Sequence, residues 1–479
     1  MLLIACDAIE NTSIDSAPTI TDITAKLNSS INVSQNEASG IADMFMRSYA
    51  GSDMPLTKSA DTKRISSSAT VREDGQDLMY VFNYEDGGFV IVGSTRNYYP
   101  ILAYSDKGSF VLQDDMGPVD VWLDETKVSI KNSSSLDAAT KAQMQNLWSH
   151  YDGTYVDPAQ QLLASRRPQT RSAGEDSCWA EIERLQAQYG DEGWTFLPLS
   201  QVEDVFDDVG LSSYYDNICY SAIQNHSALN ETVIGYKNAP VYTEVGPLLA
   251  TSWHQSNPFD RLCGNYLPGC ASIAAAQVMK FHEYPATLTY DVTFTWSDIP
   301  TYVDFSANSR QPNLVKLVAD AFNMNYGTLY SWTIPSNVTS GLNALGYTTS
   351  SYSHNALTVR NEVITNIRPV IMVGSEVNAP LPTYSNPFGN CHYWVCDGAK
   401  ENIINQITYF TKNQPNGAGT FTQGEYSYNS PGIIGGTVTR QYHMNWGWGG
   451  PYDGWYADNN LPTGQNFQYY RVDIFVNTP

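Results

Sequence analysis

Apolar positions along this chain recur with two different periods, and each period predicts a different element. Over residues 33–46, Ala38, Ile41, Ala42 and Phe45 fall near one face at helical spacing and predict a short helix. The pattern then turns strand-like. Apolar runs at 78–84 and 89–92 flank Glu85-Asp86-Gly87-Gly88, whose glycine pair accepts positive φ, so a hairpin is predicted. A further strand is predicted at 101–104, and Ser105-Asp106-Lys107-Gly108 reads as a turn into another at 109–112. Together these make a small α+β module ending near His150. A helix is expected around 179–189. The strongest helical run is 270–282, apolar nearly all round and therefore destined for a core, with Tyr284-Pro285 ending it. Apolar strands follow at 369–374 and 392–398.

Composition narrows the class. A chain of 479 residues that is 42% apolar has material for two to four packed domains. It contains no apolar run of about 18 residues, so no spanning helix is expected. The net charge of −23 repels phosphate backbones and anionic membrane surfaces, which excludes nucleic acid as the primary partner. Only 16% of residues are charged, while Tyr (32), Trp (11) and Gly (34) are plentiful, favouring sheets and tight turns over coiled coils.

The seven cysteines, Cys6, Cys178, Cys219, Cys263, Cys270, Cys391 and Cys396, match no zinc spacing, and neither metal nor organic cofactor is called for. Cys391 and Cys396 lie on one predicted strand, pointing to opposite faces and too far apart to bridge. Leu3-Ile4-Ala5-Cys6 resembles a bacterial lipobox without its basic and apolar leader, so Cys6 is either a lipidated N-terminus or an ordinary thiol heading a polar tether. The first implies an extracellular or cell-surface lipoprotein.

Candidate chemistry centres on Cys270. It opens the buried helix after the Gly/Pro-rich loop 264–269, where orphan N–H groups and the positive dipole end favour a thiolate. A packed core cysteine would look the same, so a second site decides, because a nucleophilic thiol needs an imidazole brought in by the fold. Of the seven histidines, His392 stands at the mouth of the strand 392–398. The run His443-Met444-Asn445-Trp446-Gly447-Trp448-Gly449-Gly450 combines close-approach glycines with indoles able to wall an imidazole from water, and Asn445 could hold its far ring nitrogen.

These residues resemble the streptopain family of cysteine proteases. The resemblance rests on Trp253-x-Gln255-x-x-Pro258-Phe259, Gly269-Cys270-Ala271, Ala276-Gln277 before Tyr284-Pro285, His392 with Asp397-Gly398, and the Trp-Gly run with Asp453-Gly454. Upstream, 80–83, 87–92 and 101–110 resemble that family's inhibitory prodomain. The resemblance implies an α+β fold: a papain-like catalytic domain, with a central helix packed on antiparallel sheet, preceded by a small α+β prodomain. It divides the chain into a tether at 1–32, a prodomain at 33–150, a linker and activation segment at 151–240, and a catalytic domain at 241–479.

Carried onto this chain, the family implies Cys270 as nucleophile and His392 as general acid and base. Gln255 would be the side-chain donor of the oxyanion hole, with Asn445, Trp446 and Trp448 supporting the imidazole. The implied product is a zymogen of a bacterial endopeptidase acting on proteins or peptides. Its own prodomain would be its inhibitor, until cleavage after one of Arg166, Arg167, Arg171 or Lys237. Two departures stand out. Cys391 replaces the glycine that the family carries before its catalytic histidine, altering the turn and its redox sensitivity. Segments 151–240 and 399–440 are also longer than the family's. Two other readings fit a Cys–His pair or its absence: a papain-like amidase on cell-wall peptides, and a surface binding lipoprotein with an inert Cys270.

Overall fold

The computed structural model describes residues 31–51, 64–155, 173–192, 195–201, 203, 233–236, 241–264, 266–327, 330–375, 391–404, 437–458 and 471–479. Cys6, the candidate cleavage residues Arg166, Arg167, Arg171 and Lys237, and most of the 151–240 segment lie outside the described residues.

The N-terminal module holds helix α1 (Gln35–Gly51) and strands β1 (Ile65–Glu73), β2 (Gln76–Tyr84), β3 (Phe89–Gly93) and β4 (Ile101–Ser105). Helices α2 (Pro118–Asn132) and α3 (Ala138–Asp152) follow. The strands form an antiparallel meander. β2 and β3 read as continuous apolar runs because both faces are covered. Tyr80, Phe82, Val90 and Val92 face α1 and α3. Met79, Val81, Phe89 and Ile91 belong to the cluster that contains Val119, Val121 and Trp122 of α2.

The expected strand at 109–112 does not form. Phe110 N–H donates to Asn83 Oδ1 (2.6 Å) and Asn83 Nδ2 donates to the Phe110 carbonyl (3.0 Å), so one side chain supplies the bonds that a ladder would have supplied. The Phe110 ring then packs on Phe89 and on Tyr452, far away in sequence.

Helix α4 (Ala173–Tyr189) covers the predicted 179–189 span, and β5 (Thr195–Pro198) pairs with β6 (Val233–Tyr236). The C-terminal half begins with β7 (Val241–Val245) and the central helix α5 (Cys270–His282). Then come the hairpin β8 (Thr287–Tyr290) and β9 (Val292–Thr295), α6 (Gln311–Ala321), α7 (Pro335–Ala344), β10 (Thr348–Ser353) and α8 (Ala356–Ile364). It ends with β11 (Val370–Ser375), β12 (Cys391–Ile404), β13 (Thr437–Asn445), β14 (Gly454–Ala457) and β15 (Val472–Asn477).

One antiparallel sheet runs through both halves in the order β1-β2-β3-β4-β14-β13-β12-β11-β15-β10, with β7 also on β12. The seam is the short β4–β14 pairing, Tyr104 opposite Trp455 and Ala103 opposite Tyr456. Helix α5 packs on one face of the C-terminal strands, its Ile273, Ala274 and Val278 clustering with Ile371, Val373, Tyr393, Val395 and Ile474. On the other face α2 lays Val119, Val121 and Trp122 into the cluster holding Met372, Trp394, Cys396 and Phe475. The result is the expected α+β arrangement of a central helix on antiparallel sheet, preceded by a small α+β module. Trp122 and Trp394 are fully buried in this shared core, where truncating either to Ala would cost about 3–5 kcal/mol.

Candidate active site

Helix α5 starts at Cys270 because Gly269 before it adopts φ 87°, a conformation that suits glycine, and because a Cβ there would stand 2.8 Å from Met324 Sδ and Cε. The sulfur lies at the helix's first turn, where the N–H groups of Cys270 and Ala271 are directed at it and lower its proton affinity. It also accepts a hydrogen bond from Tyr393 N–H at 3.4 Å. The expected thiolate is nevertheless not what the intact chain holds. Burial outweighs these donors and pushes the Cys270 thiol above its ordinary value.

The contact to Tyr393 follows from the sheet register. Pairing of β12 with β13 begins only at Val395 opposite Asn445, so the β13-side edge of residues 391–394 is open, and Cys270 sits against it. Along β12, side chains alternate between faces. Cys391 and Tyr393 join the α5 cluster, whereas Trp394 and Cys396 join the α2 cluster. His392 lies opposite Gly374. A Cβ on Gly374 would meet Val121 of α2 and Trp394 at 2.9 Å, so the His392 ring points toward α2.

The Cys270–His392 pair expected from sequence is therefore adjacent through the backbone but not formed through the side chains. No hydrogen bond joins the His392 ring to Cys270 or Asn445 among the described residues. Burial drives its pKa down to about 4, opposed by the Asp115 carboxylate just before α2.

Asn445 is held elsewhere than expected. Its Nδ2 donates to the Thr251 carbonyl (2.6 Å), and its Oδ1 accepts from Gln277 Nε2 (3.0 Å) and Gly447 N–H (3.2 Å). Gln277 is the residue that sequence reasoning left without a role. Fully buried on α5, it also accepts from Trp253 N–H at 3.0 Å and so ties the helix to both the Trp253 loop and the Trp-Gly run. The signal was present, since an amide on a helix apolar all round must have partners. Gly449 N–H donates to the Trp253 carbonyl (3.2 Å) and closes the ring of contacts. Gln255, next in this loop, is half-buried, and its amide makes no hydrogen bond among the described residues.

Trp446 is fully buried, edge-on to Tyr456 (5.0 Å) and tilted on Trp394 (5.3 Å), while its backbone N–H donates to Asp453 Oδ1 (2.9 Å). Trp448 is half-buried beneath the N-terminal module, at Gly117. A second polar group lies nearby: His443 Nδ1 and Asp397 Oδ1 are 2.6 Å apart, beside Asp453, whose carboxyl is raised by burial to about 6. They line a cavity of about 780 Å³ roofed by the Ser105–Ser109 turn of the N-terminal module. Among the described residues no group of His, Cys, Asp and Glu could hold a metal ion.

Two family models match successive parts of the chain. The family model described as Peptidase C10 family matches residues 253–456, and the one described as Spi protease inhibitor matches 30–130. Streptopain of Streptococcus pyogenes is 22% identical over 407 residues, covering 79% of this chain and 73% of the relative. The streptopain of serotype M1 gives the same figures. Among solved structures, a prointerpain A fragment of Prevotella intermedia covers 85% of this chain and 98% of its own at 15% identity and TM-score 0.40. Active interpain A from the same organism covers 48% and 94% at 18% identity and TM-score 0.31. A thiol at the tip of a buried helix, beside a histidine-bearing strand and beneath an inhibitor-like module, coincides with the two family matches in chain order: this chain is a cysteine endopeptidase that carries a peptidase C10 family domain behind a Spi inhibitor-like prodomain.

Proposed function

We propose that Cys270 and His392 are the nucleophile and general acid–base of this endopeptidase, and that the structure corresponds to its resting zymogen. The observation that carries the reading is the 3.4 Å bond from Tyr393 N–H to the Cys270 sulfur, which places the thiol one residue from His392 at an open strand edge. Withdrawal of α2 uncovers the His392 ring, and rotation about its side-chain bonds carries it round the β12 edge to the sulfur. A proton then passes from thiol to imidazole, since an opposite charge within about 4–6 Å favours both ionised forms.

The thiolate attacks the scissile carbonyl. The oxyanion is held by the Cys270 N–H and the uncommitted amide of Gln255, and losing one such donor typically costs about 10²–10³ in rate. His392 protonates the leaving amine, then takes a proton from the water that resolves the acyl-enzyme. Asn445 acts on this site through Gln277 and Trp253, and Trp446 and Trp448 supply its apolar wall.

The reading extends to a secreted or surface-anchored bacterial zymogen with Cys6 as its lipid attachment point. Activation would follow a cut after Arg166, Arg167, Arg171 or Lys237. Purified Cys270→Ala should cleave no protein substrate while keeping its circular dichroism spectrum, and mapping of new N-termini in wild type should show a cut within 151–240. Turnover by the Cys270→Ala protein rejects the assignment. Palmitate incorporation by wild type and not by Cys6→Ser tests the anchor.

A further inference from the structure

Two observations about Cys391 are unused by this chemistry. The two-residue alternation of β12 sends the Cys391 side chain to the α5 face, opposite to His392, and both Cys391 and Cys270 pack on the same cluster. The open edge of residues 391–394 is also where Tyr393 N–H holds the Cys270 sulfur at 3.4 Å. The Cys270 sulfur thus sits at the edge of the strand that carries Cys391 on the α5 face, whereas the His392 ring points to the α2 face. Burial and the neighbouring Cys270 sulfur both raise the Cys391 thiol well above its ordinary value, keeping it protonated in the resting chain. Cys396, five residues on, faces the α2 cluster and is fully buried there.

We propose that Cys391 is a resolving thiol that closes a reversible Cys270–Cys391 disulfide when the enzyme meets a peroxide. This rests on the reading of Cys270 as the reactive thiol. In the first step the Cys270 sulfur attacks hydrogen peroxide. An S–O bond forms, the O–O bond breaks and hydroxide leaves, taking up the thiol's proton as water. The sulfur is oxidised by two electrons to a sulfenic acid, and the peroxide is reduced. In the second step the Cys391 sulfur attacks the sulfenyl sulfur. An S–S bond forms, the S–O bond breaks, and hydroxide departs with the Cys391 proton as a second water. The balance is two thiols and one hydrogen peroxide to one disulfide and two waters. Capture at the disulfide stops further oxidation to the sulfinic acid, which a simple thiol reductant does not reverse. A protease carrying only the nucleophilic thiol would have no such protection. In the closed form the nucleophile is consumed and held away from His392.

The test uses wild type and its Cys391→Ser variant, each made as the full chain and allowed to self-process. Each is treated with hydrogen peroxide, alkylated, digested without reductant and analysed by mass. Wild type should give a reductant-sensitive peptide pair joining the Cys270 and Cys391 segments, with Cys396 alkylated only after unfolding. In parallel, proteolytic activity is measured after peroxide and then after dithiothreitol, each relative to the same untreated protein. Wild type should recover at least about ten-fold more of its activity than Cys391→Ser, whose Cys270 should carry sulfinic acid. Absence of the cross-linked pair, with equal and irreversible loss in both proteins, overturns the proposal. Cys270→Ala separates the two readings. If that variant stays active, the nucleophile assignment has failed. If it is inactive and no cross-link forms in wild type, only the disulfide has failed.

Discussion

Gly117, at the start of α2, packs against the indole of Trp448: a Cβ added there would stand 2.2 Å from Trp448 Cζ2 and 2.6 Å from Cε2. The residue also holds φ 58°, which a side chain resists. The N-terminal module therefore reaches the Trp-Gly run through a contact that only glycine allows. Gly117→Ala should weaken docking of the module by about 1–3 kcal/mol, equivalent to roughly 5- to 150-fold in its docking equilibrium. The measurement is the lag before self-processing, expected to shorten, with the processed enzyme as active as wild type. An unchanged lag would show that Trp448 is not a docking determinant.

A buried ion pair crosses the same boundary. Glu125 of α2 meets Arg471, just before β15, at 2.5 Å with both side chains almost wholly buried, and the guanidinium lies 5.4 Å over Trp394. Glu125→Gln leaves Arg471 buried without its counter-charge, a change that costs about 3–5 kcal/mol when one partner of such a pair is removed. We expect a lower denaturation midpoint for the full chain and faster maturation. The double change Glu125→Leu with Arg471→Met should restore much of the stability, since an apolar replacement of matched volume avoids the uncompensated charge.

Gln277 bridges Trp253 N–H and Asn445 Oδ1 inside α5. Gln277→Leu keeps helix propensity and volume but leaves the buried Trp253 N–H unsatisfied, at about 1–3 kcal/mol, and leaves Asn445 Oδ1 with Gly447 N–H as its remaining donor. Because the Gln255 loop and the Trp-Gly run are held to the helix through this amide, kcat/KM of the processed enzyme should fall by about 10²-fold, a loss that a displacement of order 1 Å can produce. A folded variant with undiminished kcat/KM would show that the bridge serves stability alone.

The intact chain should be acid-labile through His392. Its pKa is depressed to about 4, against about 6.5 for an unfolded histidine, so below pH 6.5 the unfolded or module-released state binds a proton that the resting state refuses. The stabilisation is complete above pH 6.5 and disappears as pH falls toward 4. His150 of α3, stacked on Tyr155 beyond the helix and also depressed to about 4, acts in the same direction. Asp453, raised to about 6, and His443, raised by its Asp397 partner against the cost of burial, act oppositely, binding protons more readily in the folded state. The resolvable quantity is the difference between wild type and His392→Gln. Unfolding free energies at pH 7 and pH 4.5 should show a smaller acid loss in the variant, and equal losses would assign the lability elsewhere.

Alkylation offers a complementary reading. With the Cys270 thiol raised by burial and His392 turned away, iodoacetamide at about pH 6 should label the intact chain slowly. The processed enzyme should be labelled at Cys270 at least about ten-fold faster, which mass analysis of the labelled peptide would measure.

Much of this molecule was legible in the order of its residues. Helical spacing placed α1, a helix-forming stretch apolar nearly all round placed α5, apolar runs flanking a glycine pair placed the β2–β3 hairpin, another apolar run placed the start of β12, and a glycine before a small apolar run put Cys270 at a helix tip. These are short-range facts, set by steric preferences and burial patterns within a few residues. The failed strand at 109–112 shows their limit: Asn83, 27 residues upstream of Phe110, claimed the backbone groups that a ladder needed. Only the tertiary structure decided that the sheet of the N-terminal module continues through β4 and β14 into the catalytic half. Only it decided which face of β12 meets α5 and which meets α2. Alternation states that His392 and Cys391 point apart, but not which of them faces a helix 123 residues away from Tyr393 in the chain. Proton affinities at the site followed the same rule. The helix tip argued for a thiolate, and enclosure by residues from distant segments, which no local pattern encodes, reversed that preference.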